Sequence, residues 1–99
     1  MAEKLTYSYE TIFIVDASLE EDAVKALVEK FTGLISKNGA DVQIDEWGKR
    51  RLAYEINDKT EGYYVLVDFT SDGDFPKELD RQYRITDGIL RTIIIRKDS

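Results

Sequence analysis

The centre of the chain reads WGKRRLAYEI from Trp47 to Ile56, followed by GYYVLVDF from Gly62 to Phe69. Apolar and polar residues alternate in both runs, which is typical of strands that are covered on one face. The polar segment between them, residues 57–61, is short enough to be the turn of a β-hairpin. Gly48 lies inside the first run and predicts a β-bulge there. An antiparallel strand pair is therefore expected at the centre of the fold.

One strand and one helix are predicted on the N-terminal side of this hairpin. Aromatic and β-branched residues dominate Tyr7–Val15, which favours a first strand. Apolar residues then recur at helical spacing and indicate a helix with one buried face. Ser18 and Glu21 have the spacing of a capping box at its start, and Asn38-Gly39 is expected to end it, since glycine is able to take positive φ.

A second helix and a last strand are predicted on the C-terminal side. Asp74 is the expected N-cap of a helix that begins near Pro76, and a turn at Asp87-Gly88 leads to the isoleucine-rich strand Ile89–Arg96. The order β-α-β-β-α-β predicts an α+β, ferredoxin-like fold: a four-stranded antiparallel sheet with two helices on one face. Residues 1–99 are enough for a single domain of this kind.

The composition argues against several classes of function. The chain has no cysteine and no histidine, which excludes disulfides and removes the usual general base and the commonest metal ligand. No run reaches the roughly 18 apolar residues of a membrane span, and the N-terminus lacks the layout of a signal peptide. We therefore expect a cytoplasmic domain with no membrane contact, no cofactor, no metal and no small-molecule substrate.

Two specific functions of this fold also find little support in the residues. A hydrolase of the acylphosphatase type needs an arginine in the first strand-to-helix loop, which here is the acidic Asp16-Ala17-Ser18. An RNA-recognition domain that stacks bases on its sheet would have a basic residue at Glu61 and a small residue at Tyr64. No catalytic residue is predicted.

Basic residues are unevenly distributed in this acidic chain. The net charge is −6, yet every arginine lies at or beyond residue 50. Arg50 and Arg51 follow the bulge, and Arg84 and Arg91 flank the Asp87-Gly88 turn. Arginine binds phosphate through two N–H groups at once, so these four residues are candidates for a nucleic-acid contact. The alternatives are protection of an edge strand by Arg50 and Arg51, compensation of the helix dipole by Arg84, and plain solvation of Arg91.

Several motifs together resemble one known family. The chain is similar to bacterial small-subunit ribosomal protein six in Tyr9-Glu10, in WGKRRLAYEI, in the GYY that follows it, and in RITDGILR from Arg84 to Arg91. The resemblance covers nearly the whole chain and implies the β-α-β-β-α-β fold. It further implies binding to small-subunit ribosomal RNA together with ribosomal protein eighteen, which docks against the sheet. By this similarity the RNA-binding residues are Arg50, Arg51, Arg84 and Arg91.

The chain also departs from some members of that family. Tyr7 and Ser8 stand where some members have arginines, and Thr86 and Leu90 also replace possible arginines. Fewer basic residues mean fewer phosphate contacts, so the isolated chain should bind RNA weakly. We expect a non-enzymatic, ribosome-associated protein. A regulatory or ligand-binding domain of the same fold is the alternative, and it would typically dimerise through a sheet edge.

Overall fold

The computed structural model describes residues 6–56 and 59–97, apart from the side chain of Ala53. Six elements follow one another along the chain: β1 (Tyr7–Asp16), α1 (Glu21–Asn38), β2 (Ala40–Ile56), β3 (Lys59–Ser71), α2 (Phe75–Ile85) and β4 (Ile89–Arg96). The strands form one four-stranded antiparallel sheet in the order β2-β3-β1-β4. The predicted ferredoxin-like order of elements is confirmed.

The central hairpin is longer than its sequence pattern predicted. Residues 59–61, expected in a turn, belong to β3, and the other predicted turn residues, 57 and 58, lie outside the described part. The bulge at Gly48 is confirmed, because the pairing of β2 with β3 shifts between Glu46 and Gly48. Gly48 has a φ of 85°, which glycine adopts without steric cost. β2 lies at the edge of the sheet, as expected.

Both helices pack on the same face of the sheet, which we call the covered face. Odd-numbered residues of β1 and β3 point to this face, and Phe13, Val15, Val65 and Val67 are fully buried there. The helices contribute Phe31, Ile35, Leu79 and Tyr83 to the same core. Each large apolar side chain buried in this way favours the folded state by about 1.5–3 kcal/mol.

A polar pair lies inside this core without leaving a buried group unsatisfied. The hydroxyl of Thr11 is 3.0 Å from that of Tyr83 and 3.0 Å from the carbonyl oxygen of Ile93. A carbonyl only accepts, so Thr11 donates to Ile93 and Tyr83 donates to Thr11. Burial raises the pKa of Tyr83, and the phenol stays protonated. This chain of bonds ties α2 to β1 and β4.

The capping box predicted for α1 is wrong. The helix begins after Glu20 without a side-chain cap. Ser18 instead donates from its backbone nitrogen and its hydroxyl to Oδ1 of Asp16, at 2.9 and 2.6 Å. Asp16 is buried at the end of β1 and needs these donors. Because the Ser18 side chain is bonded to the Asp16 carboxylate, it does not cap the helix.

The predicted end of α1 at Asn38-Gly39 is confirmed, although the glycine does not use the positive φ open to it. Gly39 follows the helix with a φ of −120°, not a positive value. A Cβ at Gly39 would lie 3.0 Å from the carbonyl oxygen of Ile35 and 3.2 Å from that of Thr70. Glycine is therefore favoured here, because a side chain would press the helix end away from β3 by a few tenths of an ångström.

Asp74 is the N-cap of α2 by position, as predicted, yet its side chain does not cap the helix. Oδ1 of Asp72 does so, accepting from the backbone nitrogens of Asp74 and Phe75 at 3.0 and 2.9 Å. The buried edge predicted for α2 is confirmed and consists of Phe75, Leu79 and Tyr83.

Candidate nucleic-acid and protein interface

The strand register brings the four arginines predicted for RNA binding to one end of the sheet. Arg50 lies opposite Gly62, which lies opposite the last residue of β1. Arg91 lies opposite Ile14, close to the same end of β1. Arg84 is in the last turn of α2, three residues before the turn that leads into β4. Arg51 follows Arg50 and lies opposite Glu61. All four side chains are exposed, and together they form what we call the arginine rim, namely Arg50, Arg51, Arg84 and Arg91.

The arginine rim is divided between the two faces of the sheet. Successive strand residues point to opposite faces, so Arg50 and Arg51 diverge. Arg50 and Arg91 lie on the face without helices, which we call the open face, whereas Arg51 and Arg84 lie on the covered side. Arg50 and Arg51 therefore cannot bind a single phosphate as a pair. The arrangement fits separate contacts around the end of the sheet.

The members of the rim differ in their local partners. Nη2 of Arg84 is 3.1 Å from Oδ2 of Asp80, one turn earlier on the exposed side of α2. Nη1 of Arg91 donates to the hydroxyl of Tyr54, and its Cζ lies 5.8 Å from the centre of that ring. Arg50 and Arg51 make no ion pair within residues 6–56 and 59–97. Because β2 is an edge strand, protection of that edge stays open as a role for both.

A compact polar cluster holds the tip of the hairpin, where β3 begins, against the end of β1. Nζ of Lys59 lies 3.4 Å from Oδ2 of Asp16 and 3.1 Å from the hydroxyl of Ser18. Burial alone would raise the pKa of Asp16, but the hydrogen bonds from Ser18 and the ammonium of Lys59 outweigh it, so the pKa lies below its ordinary value. The carboxylate is thus held charged and links β1 and the loop before α1 to β3.

The open face carries an exposed apolar surface. The sequence predicted that a partner docks against the sheet but did not identify the residues. Ile93 and Ile95 are 43% and 47% exposed, and Trp47 is 40% exposed. Trp47 stacks on Tyr64 with ring centres 6.2 Å apart and an angle of 15° between the planes. We call this surface the apolar sheet patch, defined by Ile12, Trp47, Tyr64, Leu66, Ile93 and Ile95. Its signal in the sequence was the apolar residues at even positions of β1 and odd positions of β4.

A groove of about 600 Å³ lies on the covered side of β2, between α1 and this strand. Its floor is apolar and includes Val24, Val28 and Ile44, while acidic and basic side chains alternate along its rim. Tyr63 donates to Oε1 of Glu46 at 2.9 Å, and this bond, with burial, raises the pKa of the phenol. None of the four arginines lines this groove.

The described part of the chain offers neither a cluster of acidic residues placed to hold a metal ion nor a helix long and apolar enough to cross a membrane. Fold, register and surface together define a ferredoxin-like α+β domain of the split βαβ class. Residues 8–96 match the family described as Ribosomal protein S6. The chain belongs to the ribosomal protein S6 family, and the resemblance noted in its sequence is confirmed.

Individual relatives agree with this assignment. The chain is 56% identical over 91 residues to small ribosomal subunit protein bS6 of Clostridium perfringens, which covers 91% of this chain and 96% of that protein. It is 53% identical over 92 residues to the bS6 protein of Thermoanaerobacter pseudethanolicus, covering 92% and 97%. The crystal structure of 30S ribosomal protein S6 from Thermotoga maritima superposes with a TM-score of 0.83 at 30% identity, covering 94% and 89%. The family consists of structural ribosomal components and is not an enzyme family.

Proposed function

We propose that this chain is a structural constituent of the small ribosomal subunit that binds ribosomal RNA together with ribosomal protein eighteen. Membership of the S6 family supports the ribosomal role. The observation that carries the finer proposal is the position of the arginine rim beside the apolar sheet patch. A charged end next to an exposed apolar face suits a protein that binds a polyanion and a protein partner at once.

The RNA contact is assigned to the arginine rim, namely Arg50, Arg51, Arg84 and Arg91. These guanidinium groups contact phosphates at the end of the sheet, two from the open face and two from the covered side. Four phosphate contacts correspond to a slope of about −3 to −4 in a plot of log affinity against log salt concentration. The net charge of −6 opposes such binding, because the rest of the molecule repels RNA. The isolated chain therefore binds weakly.

The protein contact is assigned to the apolar sheet patch. Aromatic residues such as Trp47 and Tyr64 frequently supply most of the binding energy of a protein interface. Ile93 and Ile95 extend the surface along β4, an edge strand. Docking of ribosomal protein eighteen covers this surface, and basic residues of the partner offset the acidity of this chain. The assembly then resides on the ribosome in the cytoplasm, without membrane contact.

A quantitative binding assay tests this proposal. RNA from the central region of the small-subunit ribosomal RNA is titrated with this chain alone and with purified protein eighteen present. We expect the partner to raise the affinity at least tenfold. Tight binding of RNA by the isolated chain, or no gain from the partner, contradicts the proposal.

Two matched isoleucine variants locate the partner surface. Ile95→Asp alters the apolar sheet patch, whereas Ile44→Asp alters an equally exposed isoleucine on the covered side of β2, at 47% and 46% exposure. We expect Ile95→Asp to abolish the gain from the partner and Ile44→Asp to retain it. Equal losses in both variants would remove the open face as the docking surface.

The alternative is a ferredoxin-like domain that binds a small ligand or has a regulatory role. The groove between α1 and β2 is the feature that favours it, since about 600 Å³ is within the usual range of ligand pockets. Such a domain would dimerise in size-exclusion chromatography and gain thermal stability from a ligand. A monomer whose melting temperature responds only to RNA and protein eighteen argues against it.

A further inference from the structure

Tyr54 and Arg91 touch although they belong to opposite edges of the sheet. Tyr54 lies in β2 and Arg91 in β4, with β3 and β1 between these strands. Three spacings between neighbouring strands would separate them by about 14 Å in a flat sheet. Yet Nη1 of Arg91 donates to the hydroxyl of Tyr54, and the guanidinium carbon is 5.8 Å from the ring centre. Tyr54 also lies four residues beyond Arg50, which is level with Asp16, whereas Arg91 is level with Ile14. Two side chains cannot bridge both separations in a flat sheet, so the end of the hairpin curls across the open face.

Gly62 is the point at which the hairpin curls. β1 ends opposite Gly62, so the hairpin beyond it has no third strand beside it. A Cβ at Gly62 would lie 2.3 Å from Cγ2 of Ile14 and 3.3 Å from Cδ2 of Leu52. Leu52 and Ile14 thus occupy the space over Gly62 that a side chain at that position would need. Leu52 is buried there, at 8% exposure. Tyr54, two residues further along, points to the same side and reaches Arg91.

We propose that Tyr54 is a positioning residue for the Arg91 guanidinium, holding it ready to bind phosphate. This inference rests on the proposed RNA-binding function. A guanidinium has five N–H groups, and the hydroxyl of Tyr54 accepts from one of its nitrogens, which restricts where the group can lie. The side chain of Arg91 is exposed, so it remains accessible to a phosphate. Ordering Arg91 before RNA arrives removes part of the entropy cost of binding.

The chain contains a second contact between an arginine of β4 and a tyrosine, at the other end of that strand. Arg96 lies on the same strand as Arg91, and its Cζ is 3.9 Å from the ring centre of Tyr7. Arg96 pairs with Tyr9, at the far end of β4 from Arg91 and on the covered side. It is not a member of the arginine rim. Arg96→Ala therefore removes an arginine on a tyrosine ring without altering the proposed RNA contact.

The test is a double-mutant cycle measured on RNA binding by the full chain with protein eighteen. The variants are Tyr54→Leu, Arg91→Ala, their combination, Tyr54→Phe and the control Arg96→Ala. We expect Tyr54→Leu to weaken binding about 3- to 10-fold, the cost of ordering one long side chain. The combined variant should bind no more weakly than Arg91→Ala alone. Tyr54→Phe removes only the hydroxyl that accepts from Arg91 and should weaken binding as Tyr54→Leu does, and Arg96→Ala should bind like the wild type.

Each outcome separates this inference from the proposed function. If the wild type fails to bind RNA with its partner, the proposed function fails. If the wild type binds and Arg91→Ala weakens binding while Tyr54→Leu does not, the positioning role alone is overturned. Additive losses in the combined variant would show that Tyr54→Leu acts by disturbing the hairpin, and this too overturns the role. An unaffected Arg91→Ala removes both residues from the RNA site and leaves the proposed function standing.

Discussion

The covered and open faces of the sheet are built from the same alternating strands but differ in what their apolar residues do. On the covered face, Phe13, Val15 and Val65 are fully buried beneath the helices. On the open face, Ile93 and Ile95 remain almost half exposed. The hydrophobic free energy that specifies the fold is therefore concentrated on one side. The other side keeps apolar area available for a partner, and substitutions should separate the two effects.

The largest expected effect is the loss of an aromatic ring from the covered face. Phe31 is fully buried and packs against the rings of Phe13 and Tyr83, with centres 5.5 and 4.7 Å away. Phe31→Ala should reduce the free energy of unfolding by about 3–5 kcal/mol, because it removes buried area and leaves a cavity. Urea denaturation measures this loss. Ile95→Ala on the open face is the matched comparison and should cost less than about 1 kcal/mol. Similar losses would erase the proposed difference between the faces.

The next effect concerns the end of the sheet, where the two faces meet. Asp16→Asn removes the charge that accepts from Ser18 and faces Lys59. We expect a loss of about 1.5–3 kcal/mol at neutral pH, the usual contribution of a buried hydrogen bond to a charged group. Urea denaturation of both proteins at a series of pH values measures it.

The pH dependence of that loss follows from the direction of the pKa shift. The folded pKa of Asp16 lies below its ordinary value of 3.8, so the native state binds the proton less readily than the unfolded chain. The stability that Asp16 contributes is therefore present above 3.8 and is lost as the pH falls through the lower folded pKa. The wild type and Asp16→Asn should converge in acid. A difference that persists unchanged into acid would mean that the charge of Asp16 does not stabilise the fold.

The order of elements could be predicted because it depends on local pattern. Alternation and turn residues sufficed for the strand Ile89–Arg96, the bulge at Gly48 and the buried edge of α2. The capping box failed because a buried carboxylate at Asp16, whose burial depends on tertiary packing, competes for Ser18. The spacing of residues in the sequence does not reveal that Asp16 is buried and competes for Ser18.

The site was only partly accessible to sequence reasoning. The positions of the four arginines along the chain could be read, and strand order then brought them to one end. Their division between two faces was already implicit in the period of the strand, since Arg50 and Arg51 are adjacent. The contact between Tyr54 and Arg91 was not accessible, because it requires the curl at Gly62 and joins residues of opposite edge strands. RNA binding by these arginines stays a prediction.

A glycine-to-alanine pair tests whether the curl at Gly62 is as tightly packed as the covered face. Gly62→Ala places a methyl group 2.3 Å from Cγ2 of Ile14 and should cost about 1–3 kcal/mol, as overpacking does. Gly33 in α1 has no atom within 4 Å of an added Cβ, and Gly33→Ala should stabilise the protein by about 0.5–1 kcal/mol. Thermal unfolding of both variants measures the contrast. A neutral Gly62→Ala would indicate that the hairpin adjusts freely and that the open face is loosely packed at this end.

The smallest effect on stability, paired with a clear effect on assembly, is expected at the arginine rim. Arg84 and Arg91 are exposed, so Arg84→Ala and Arg91→Ala should each change the free energy of unfolding by less than about 1 kcal/mol. Each should nevertheless weaken assembly with RNA and protein eighteen, and each should make the salt slope less negative by about 0.7–0.9, the value of one lost phosphate contact.

Arg81→Ala, at an arginine that Glu78 engages through two hydrogen bonds on α2, is the control and should leave the slope unchanged. Unchanged assembly in both rim variants would remove them from the RNA contact. The open face would then retain a role in partner docking alone, and the covered face would remain the source of stability.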